Sequence, residues 1–289
     1  MKLISKIIVL FGLLCSISQL SWSRERELRD ELAFLTDKQN KGRAFGSPEL
    51  QSVSFYLYRQ FKAAGLRTTV QSFAAGGKVG HNIIAVTPGW FKEYIVVGAY
   101  YDGVGEINGE VYPSADANAS GVAVMLSLAR SLPKHADGAV GVIFLAMDGH
   151  SASMSGAKSF VEQYKSIYNI KLMVNLDTMG SSLEPVNPRF PNYIIALGAS
   201  SYRFALDNAN RQTRLDINYD YYGSSNFTNL FYRNISDQKW FLQAGIPAVM
   251  FTSGITKHTN KSTDTMDNLD LPMLTKRLLL IETWLQHQL

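Results

Sequence analysis

The chain has 289 residues, 46% of them hydrophobic, with 28 basic and 24 acidic side chains and a formal charge of +4. That length and apolar content support a large buried core. No Pro/Ser-rich linker, charge block, repeat or low-complexity tract divides the chain, so one α/β domain is expected rather than two. Residues 1–23 read as an export signal, with Lys2 and Lys6 as its basic start, 7–17 as its apolar core and Ser21-Trp22-Ser23 as a small-x-small cleavage site. The apolar run is roughly half of the ~20 residues a membrane span needs. Cleavage near Ser23 leaves an exported (periplasmic or secreted) domain over 24–289 with no membrane span. Bulky Leu13 and Leu14 argue against a lipid anchor on Cys15, the chain's single cysteine, so the mature domain lacks disulfides and thiolate chemistry. Its 26 basic against 24 acidic residues, a balance of +2, give no argument for nucleic acid or acidic membranes as partners.

In chain order, residues 24–39 are charged and read as a peripheral helix. Gly46-Ser47-Pro48-Glu49 opens a second helix, with Val53, Leu57, Phe61 and Leu66 near helical spacing. Strands are predicted at 68–73, 81–87 and 94–99, the first two paired as a hairpin across Gly76-Gly77. Continuous apolar runs at 140–147 and 172–176 read as central strands covered on both faces, with a helix over 154–164 between them. Pro185, Pro188 and Pro191 mark a loop. A strand at 193–197, a helix over 202–211, a last strand at 248–252 and an amphipathic helix over 271–289 complete the reading. The organising stretch is Ser114-Ala115-Asp116-Ala117-Asn118-Ala119-Ser120-Gly121, a polar loop of small residues that runs into the apolar helix starting at Val122. Asn118 and Ser120 can both cap that helix. The loop follows a strand ending in Ala99-Tyr100-Tyr101-Asp102, and ligands of open α/β sheets collect beyond such carboxyl ends.

Taken together, His81-Asn82-Ile83-Ile84-Ala85-Val86, Val97-Gly98-Ala99-Tyr100-Tyr101-Asp102, the 114–121 loop, Phe144-Leu145-Ala146-Met147-Asp148-Gly149, Asn175-Leu176-Asp177-Thr178-Met179-Gly180, Ser236-Asp237, Gly245-Ile246-Pro247-Ala248 and Thr263-Asp264-Thr265 form an ordered set. In order and spacing the chain resembles the zinc-dependent aminopeptidases related to bacterial leucyl aminopeptidase, a family that also contains the glutaminyl cyclases. The resemblance implies a three-layer α/β/α sandwich around a mixed, largely parallel sheet. It also implies two zinc ions held by five ligands, or one zinc ion in the cyclases.

Carried over residue by residue, the family's metal site is replaced at most positions. A His ligand falls on Tyr100 and the bridging Asp on Ala117. The general base and the next ligand, a Glu-Glu pair, fall on His150 and Ser151, in the register set by Met154 and Gly156. The last His falls on Asn260, and Asp177 alone is retained. The cyclase positions, Ala117, Ser151 and Asn260, offer no strong zinc ligand either. His150 and His258, with Asp102, Asp116, Asp148, Asp177 and Asp237, are the side chains that a displaced metal site would draw on. Ordinary hydrogen-bonding roles are the simpler reading of each. His135 reads as a loop residue, His287 as a group at a helix C-terminus and His81 as a strand start. Without a metal-bound His to orient, Asp102 is expected to accept hydrogen bonds from the pocket backbone. Asp116 and Asn118 are expected to hold loop geometry, and Asp177 needs a new partner, for which His150 is a candidate.

The crowd of Tyr219, Tyr221, Tyr222, Phe227, Phe231 and Tyr232 reads either as an aromatic rim that grips apolar groups or as packing against the sheet, the latter being favoured. The resulting expectation is an exported family homologue with a degenerate metal site, non-catalytic, with no cofactor, binding a peptide or small ligand in a pocket where Asp102, Asp116, His150, Asp237 and His258 are candidate residues. Two alternatives stay open. One is a metallo-aminopeptidase or glutaminyl cyclase-like enzyme that holds zinc with rearranged ligands. The other is a structural or interaction protein with no functional pocket.

Overall fold

The first long helix shows how local sequence sets the elements. Ser47 is extended and its hydroxyl accepts the Leu50 N–H at 3.1 Å, and Pro48, lacking an N–H, takes the first helical position. Leu50, Val53, Leu57 and Phe61 then recur on one buried face. The computed structural model describes residues 22–132 and 139–289. The export signal, apart from Trp22 and Ser23, and His135 therefore lie outside the described residues.

The element order is α1 (22–35), a 3-10 turn at Lys38–Arg43, α2 (Pro48–Ala63), β1 (Arg67–Ala75), β2 (Lys78–Val86), β3 (Glu93–Tyr100), the small hairpin β4 (Gly105–Ile107) and β5 (Glu110–Tyr112), α3 (Gly121–Ser131), β6 (Val140–Met147), α4 (Ser155–Tyr164), β7 (Ile170–Leu176), β8 (Tyr193–Leu197), α5 (Arg203–Ala209), β9 (Asp216–Asn218), α6 (Ser225–Tyr232), α7 (Gln238–Gln243), β10 (Ala248–Thr252) and α8 (Leu271–Gln286). The main sheet has eight strands in the order β1-β2-β6-β3-β7-β10-β8-β9. Its centre, β6-β3-β7-β10, is parallel, β1, β2 and β6 pair antiparallel, and β8 pairs antiparallel with β10 and parallel with β9.

Alternate residues of the central strands enter two cores. Ile95, Val97 and Ala99 of β3 join α1, α2, α3, α5 and α8 on one face, whereas Tyr94, Val96 and Tyr100 join α4 and α7 on the other. The architecture is the expected three-layer α/β/α sandwich around a mixed sheet.

Several elements differ from the sequence reading. The first helix ends at residue 35 and is not peripheral, because Leu28, Leu32 and Leu35 are fully buried. Its charges are used inward: Glu27 pairs with Arg130 of α3 at 2.6 Å, and Arg24 with Glu282 of α8 at 2.9 Å. The β4–β5 hairpin, β9, α6 and α7 were not read from the sequence. The last helix ends three residues earlier than expected, at Gln286. The helix expected over 202–211 begins as a 3-10 turn at Ser200–Tyr202 and ends at Ala209. The carboxyl ends of the parallel strands converge on one region, as the fold class requires.

Candidate ligand-binding cleft

The loops around this region are shaped by side chains that bind main chain. Asp102, just beyond β3, is buried and accepts the His150 N–H at 2.9 Å, the Ser151 N–H at 3.0 Å and the Ser151 hydroxyl at 2.7 Å. Burial raises its pKa, opposed by the charge of His150 and by the donors from Ser151. Asn118, fully buried, donates to Leu176 O at 2.9 Å and Tyr100 O at 3.3 Å, and its Oδ1 accepts Thr178 N–H at 3.0 Å and Gly121 N–H at 3.2 Å. It thereby ties β3 to β7 and caps α3. Ser120 does not cap. Its hydroxyl donates to the Asp116 carbonyl at 2.8 Å and accepts the Met179 N–H at 2.8 Å. Gly121 is required by close approach, since a Cβ there would meet Asn118 Oδ1 at 2.4 Å and Leu176 O at 2.5 Å.

Asp264, which the sequence reading noted only as part of a motif, accepts the Asp116 N–H at 2.7 Å and the Ala117 N–H at 3.0 Å. It holds the organising loop from the opposite side. Arg43 is fully buried and donates only to carbonyls, among them Tyr101 at 3.1 Å, Pro113 at 3.0 Å and Ser114 at 2.9 Å.

Above this frame lies a narrow cleft of about 90 Å³ lined in part by Tyr100, His150, Asp177, Tyr221, Phe231 and Asn260. Thr178, Thr252 and Thr259 add hydroxyls, and Ile235, Met250 and Ile255 add apolar surface. His150 Nδ1 lies 2.6 Å from Asp237 Oδ2, and the imidazole stacks on the Tyr100 ring with centroids 3.7 Å apart and planes 12° from parallel. Burial alone would lower the His150 pKa. The charge and hydrogen bond of fully buried Asp237, with Asp177 and Asp102 beyond, overcome this and raise it to about 9. Burial raises the Asp177 pKa, and Asp237 adds to the rise. The His150 charge and the neighbouring Ser236 and Tyr100 hydroxyls oppose it. Tyr100 is pushed well above its ordinary value by burial, then by Asp177 and Asp237.

Of the residues assigned to the site from sequence, Tyr100, His150, Asp177 and Asn260 meet at this cleft, and Ala117 and Ser151 do not line it. The expected partner of His150, Asp177, is corrected to Asp237, which reaches Nδ1 from behind the imidazole. The pocket expectation is also corrected for four residues. Asp237 lies beneath His150. Asp102 is turned onto the backbone of residues 150–151. Asp116 points into the protein, where its Oδ1 accepts Gly180 N–H at 2.7 Å. His258 is a loop residue whose Nδ1 lies 2.9 Å from the Thr263 hydroxyl.

Asp148, another candidate for a displaced metal site, accepts Gly149 N–H at 2.7 Å and His81 N–H at 2.9 Å, and burial followed by the Asp102 charge pushes its pKa to about 7. Of the aromatic stretch, Tyr232 packs on β8 and β10, with Tyr221 and Phe231 against the same cluster, as the favoured reading expects. Tyr221 and Phe231 line the cleft, while Tyr219 and Tyr232 face a second hollow on the far side of α6. The cleft residues Thr252, Gly254 and Thr259 were missed, although the carboxyl end of β10 was the place to look for them.

A metal ion does not fit this donor set. Among the described residues no three His, Cys, Asp or Glu side chains converge in a way that could hold one. Asp177 and His150 are the only His, Cys, Asp or Glu side chains among the described residues lining the cleft, one short of the three protein ligands that a catalytic zinc site needs.

The sequence profile of peptidase family M28 matches residues 82–284. The chain belongs to that family. Among curated relatives it is 26% identical over 162 residues to the alkaline phosphatase isozyme conversion protein of Escherichia coli K12, covering 48% of this chain and 47% of that one. A probable zinc metalloprotease of Pyrenophora teres f. teres is 34% identical over 94 residues, 31% of this chain and 20% of that one. The chain thus spans about half the length of the bacterial relative and a fifth of the fungal one. In structure it is similar to a zinc aminopeptidase from Bacillus subtilis, with a TM-score of 0.73, 13% identity, and 91% and 94% of the two chains covered. It is also similar to a glutaminyl cyclase from Fimbriiglobus ruber, with a TM-score of 0.71, 18% identity and the same coverage. These neighbours share the M28 fold, as expected from the zinc-aminopeptidase and glutaminyl-cyclase motifs. Among the described residues, no helix is long and apolar enough to cross a membrane.

Proposed function

We propose that this chain is an exported, non-catalytic member of family M28 whose cleft binds the free amino terminus of a peptide, or a small amine. Tyr100, Ala117, His150, Ser151 and Asn260 stand at the family's replaced ligand and base positions, and Asp177 is the retained carboxylate. The observation that carries the reading is the placement of Asp177. It lines the cleft while the nearby imidazole is bound to Asp237. Three buried carboxylates, Asp102, Asp177 and Asp237, surround one imidazolium, so the field in the cleft favours a cation. An ammonium donates to Asp177 without protein rearrangement, and Tyr221, Phe231 and Met250 offer an apolar wall to the side chain beside it.

Calorimetry with a leucine-initiated dipeptide and its N-acetylated form tests this reading. The free amine is expected to bind, the acetylated form to bind at least tenfold more weakly, and Asp177→Asn to weaken the amine to a similar degree. The protein is expected to carry no stoichiometric zinc when purified without added metal. Metal-dependent aminopeptidase turnover that survives repurification and is abolished by Asp177→Ala would overturn the proposal.

A further inference from the structure

On the far side of α6 from the cleft lies a larger hollow, about 450 Å³, bounded by the end of β8, the start of α5 and the segment after β9. Its lining includes Ser200, Arg203, Tyr219, Asp220, Ser225 and Asn229. Its polar groups are unequally committed. The Arg203 guanidinium carbon sits 4.3 Å from the centre of the Tyr219 ring, and among the described residues the guanidinium has no carboxylate within ion-pair distance. Among the described residues the Tyr219 hydroxyl, shut off from solvent, has no hydrogen-bond partner. Asn229 Oδ1 accepts from Arg233 at 3.3 Å, which leaves its NH₂ as a donor. The acceptors are engaged in part. Asp220 Oδ1 takes the Thr228 hydroxyl and the Tyr222 N–H, the latter at 3.1 Å. Tyr232 spends its hydroxyl on Ala248 O at 2.6 Å.

We propose that this hollow is a second binding site, separate from the amine cleft, for a small monoanionic carboxylate carried on an apolar or aromatic body. The stacked, planar guanidinium presents paired N–H groups that match a carboxylate in geometry and charge. The Asn229 amide is a further donor. Asp220 selects the charge of that ligand. Asp220 opposes added negative charge in proportion to its size, so of the anions that can pair with Arg203 a singly charged carboxylate is favoured over a doubly charged phosphate. Tyr219, Tyr232 and Leu197 supply the surface for an apolar body.

Amide-resolved NMR titration of the full chain with benzoate, benzamide and inorganic phosphate distinguishes the outcomes. Benzoate is expected to saturate and to shift the amides of Gly198, Asn229 and their neighbours. Benzamide and phosphate are expected to bind at least tenfold more weakly. Arg203→Gln, a change at an exposed position that is expected to leave the melting temperature close to the parent's value, is expected to lower benzoate affinity at least tenfold. Equal binding of benzamide, tighter binding of phosphate, unchanged affinity in Arg203→Gln, or no saturable shift with benzoate would each overturn the proposal.

Discussion

Two regions meet at the candidate cleft and are built in opposite ways. On one side, the loops beyond β3, β6 and β7 are buried and held by Asp102, Asn118, Asp148 and Asp264, whose oxygens accept main-chain N–H groups. On the other, α6 leaves Phe227 57% and Leu230 61% exposed. The contrast teaches that the shape of the floor and the character of the wall are set independently. The floor depends on polar groups that cannot be removed singly without stranding partners. The wall depends on apolar contacts, each of which is replaceable.

The largest test of this contrast is Asn118→Ala. It strands three buried backbone groups, Tyr100 O, Leu176 O and Thr178 N–H, while Gly121 N–H keeps the Asn118 carbonyl. At roughly 1–3 kcal/mol for each unsatisfied group, with partial relaxation, the loss expected in urea denaturation is about 3–5 kcal/mol. A loss below about 1 kcal/mol would show that the floor does not depend on this side chain.

A second test uses pH. Asp148 has its pKa raised in the folded protein to about 7, so the folded state holds a proton that the unfolded state has already released. Its contribution to stability is therefore most favourable below about pH 4 and declines as pH rises toward 7. Asp148→Asn removes this slope. The stability of the variant relative to the parent should rise between pH 4 and 7 by on the order of 2–4 kcal/mol and stay level above that range. Parallel stability curves for the two proteins would refute the assignment.

The smallest effect is expected on the wall. Phe227→Ala and Leu230→Ala should each change stability by less than about 0.5 kcal/mol, as for surface positions generally. A cost above about 2 kcal/mol in thermal melts would mean that this face is covered in solution.

The fold was legible in the sequence because apolar periodicity is local. The runs at 140–147 and 172–176 are central strands, and the small-residue loop before Val122 belongs to the buried frame that supports the cleft without lining it. Pairings between distant residues were less accessible. His150 meets Asp237, 87 positions away, whereas the sequence offered Asp177 as the retained carboxylate in need of a partner, since motif order gives no distance between side chains. Asn118 was read as a cap, and it is one, but its bonds to Leu176 and Thr178 require the β3–β7 pairing to be known. The helix α6 escaped notice because Ser, Asn, Thr and aromatic residues dominate Ser225–Tyr232. Such residues have modest helix propensity, and most of this short helix faces outward, so its apolar positions trace no single buried stripe.

The segment carrying Tyr219 and Tyr221, with α6 behind it, is a partition. Tyr221 and Phe231 belong to the narrow cleft, Tyr219 and Tyr232 to the larger hollow. Two compartments that share one thin wall are linked only as far as a ligand moves that wall. If occupancy on one side displaces the wall, affinity on the other side changes by some factor, and thermodynamic reciprocity requires the same factor in return. The size of that factor measures how stiff eight residues of α6 and the four-residue stretch 219–222 are as a septum.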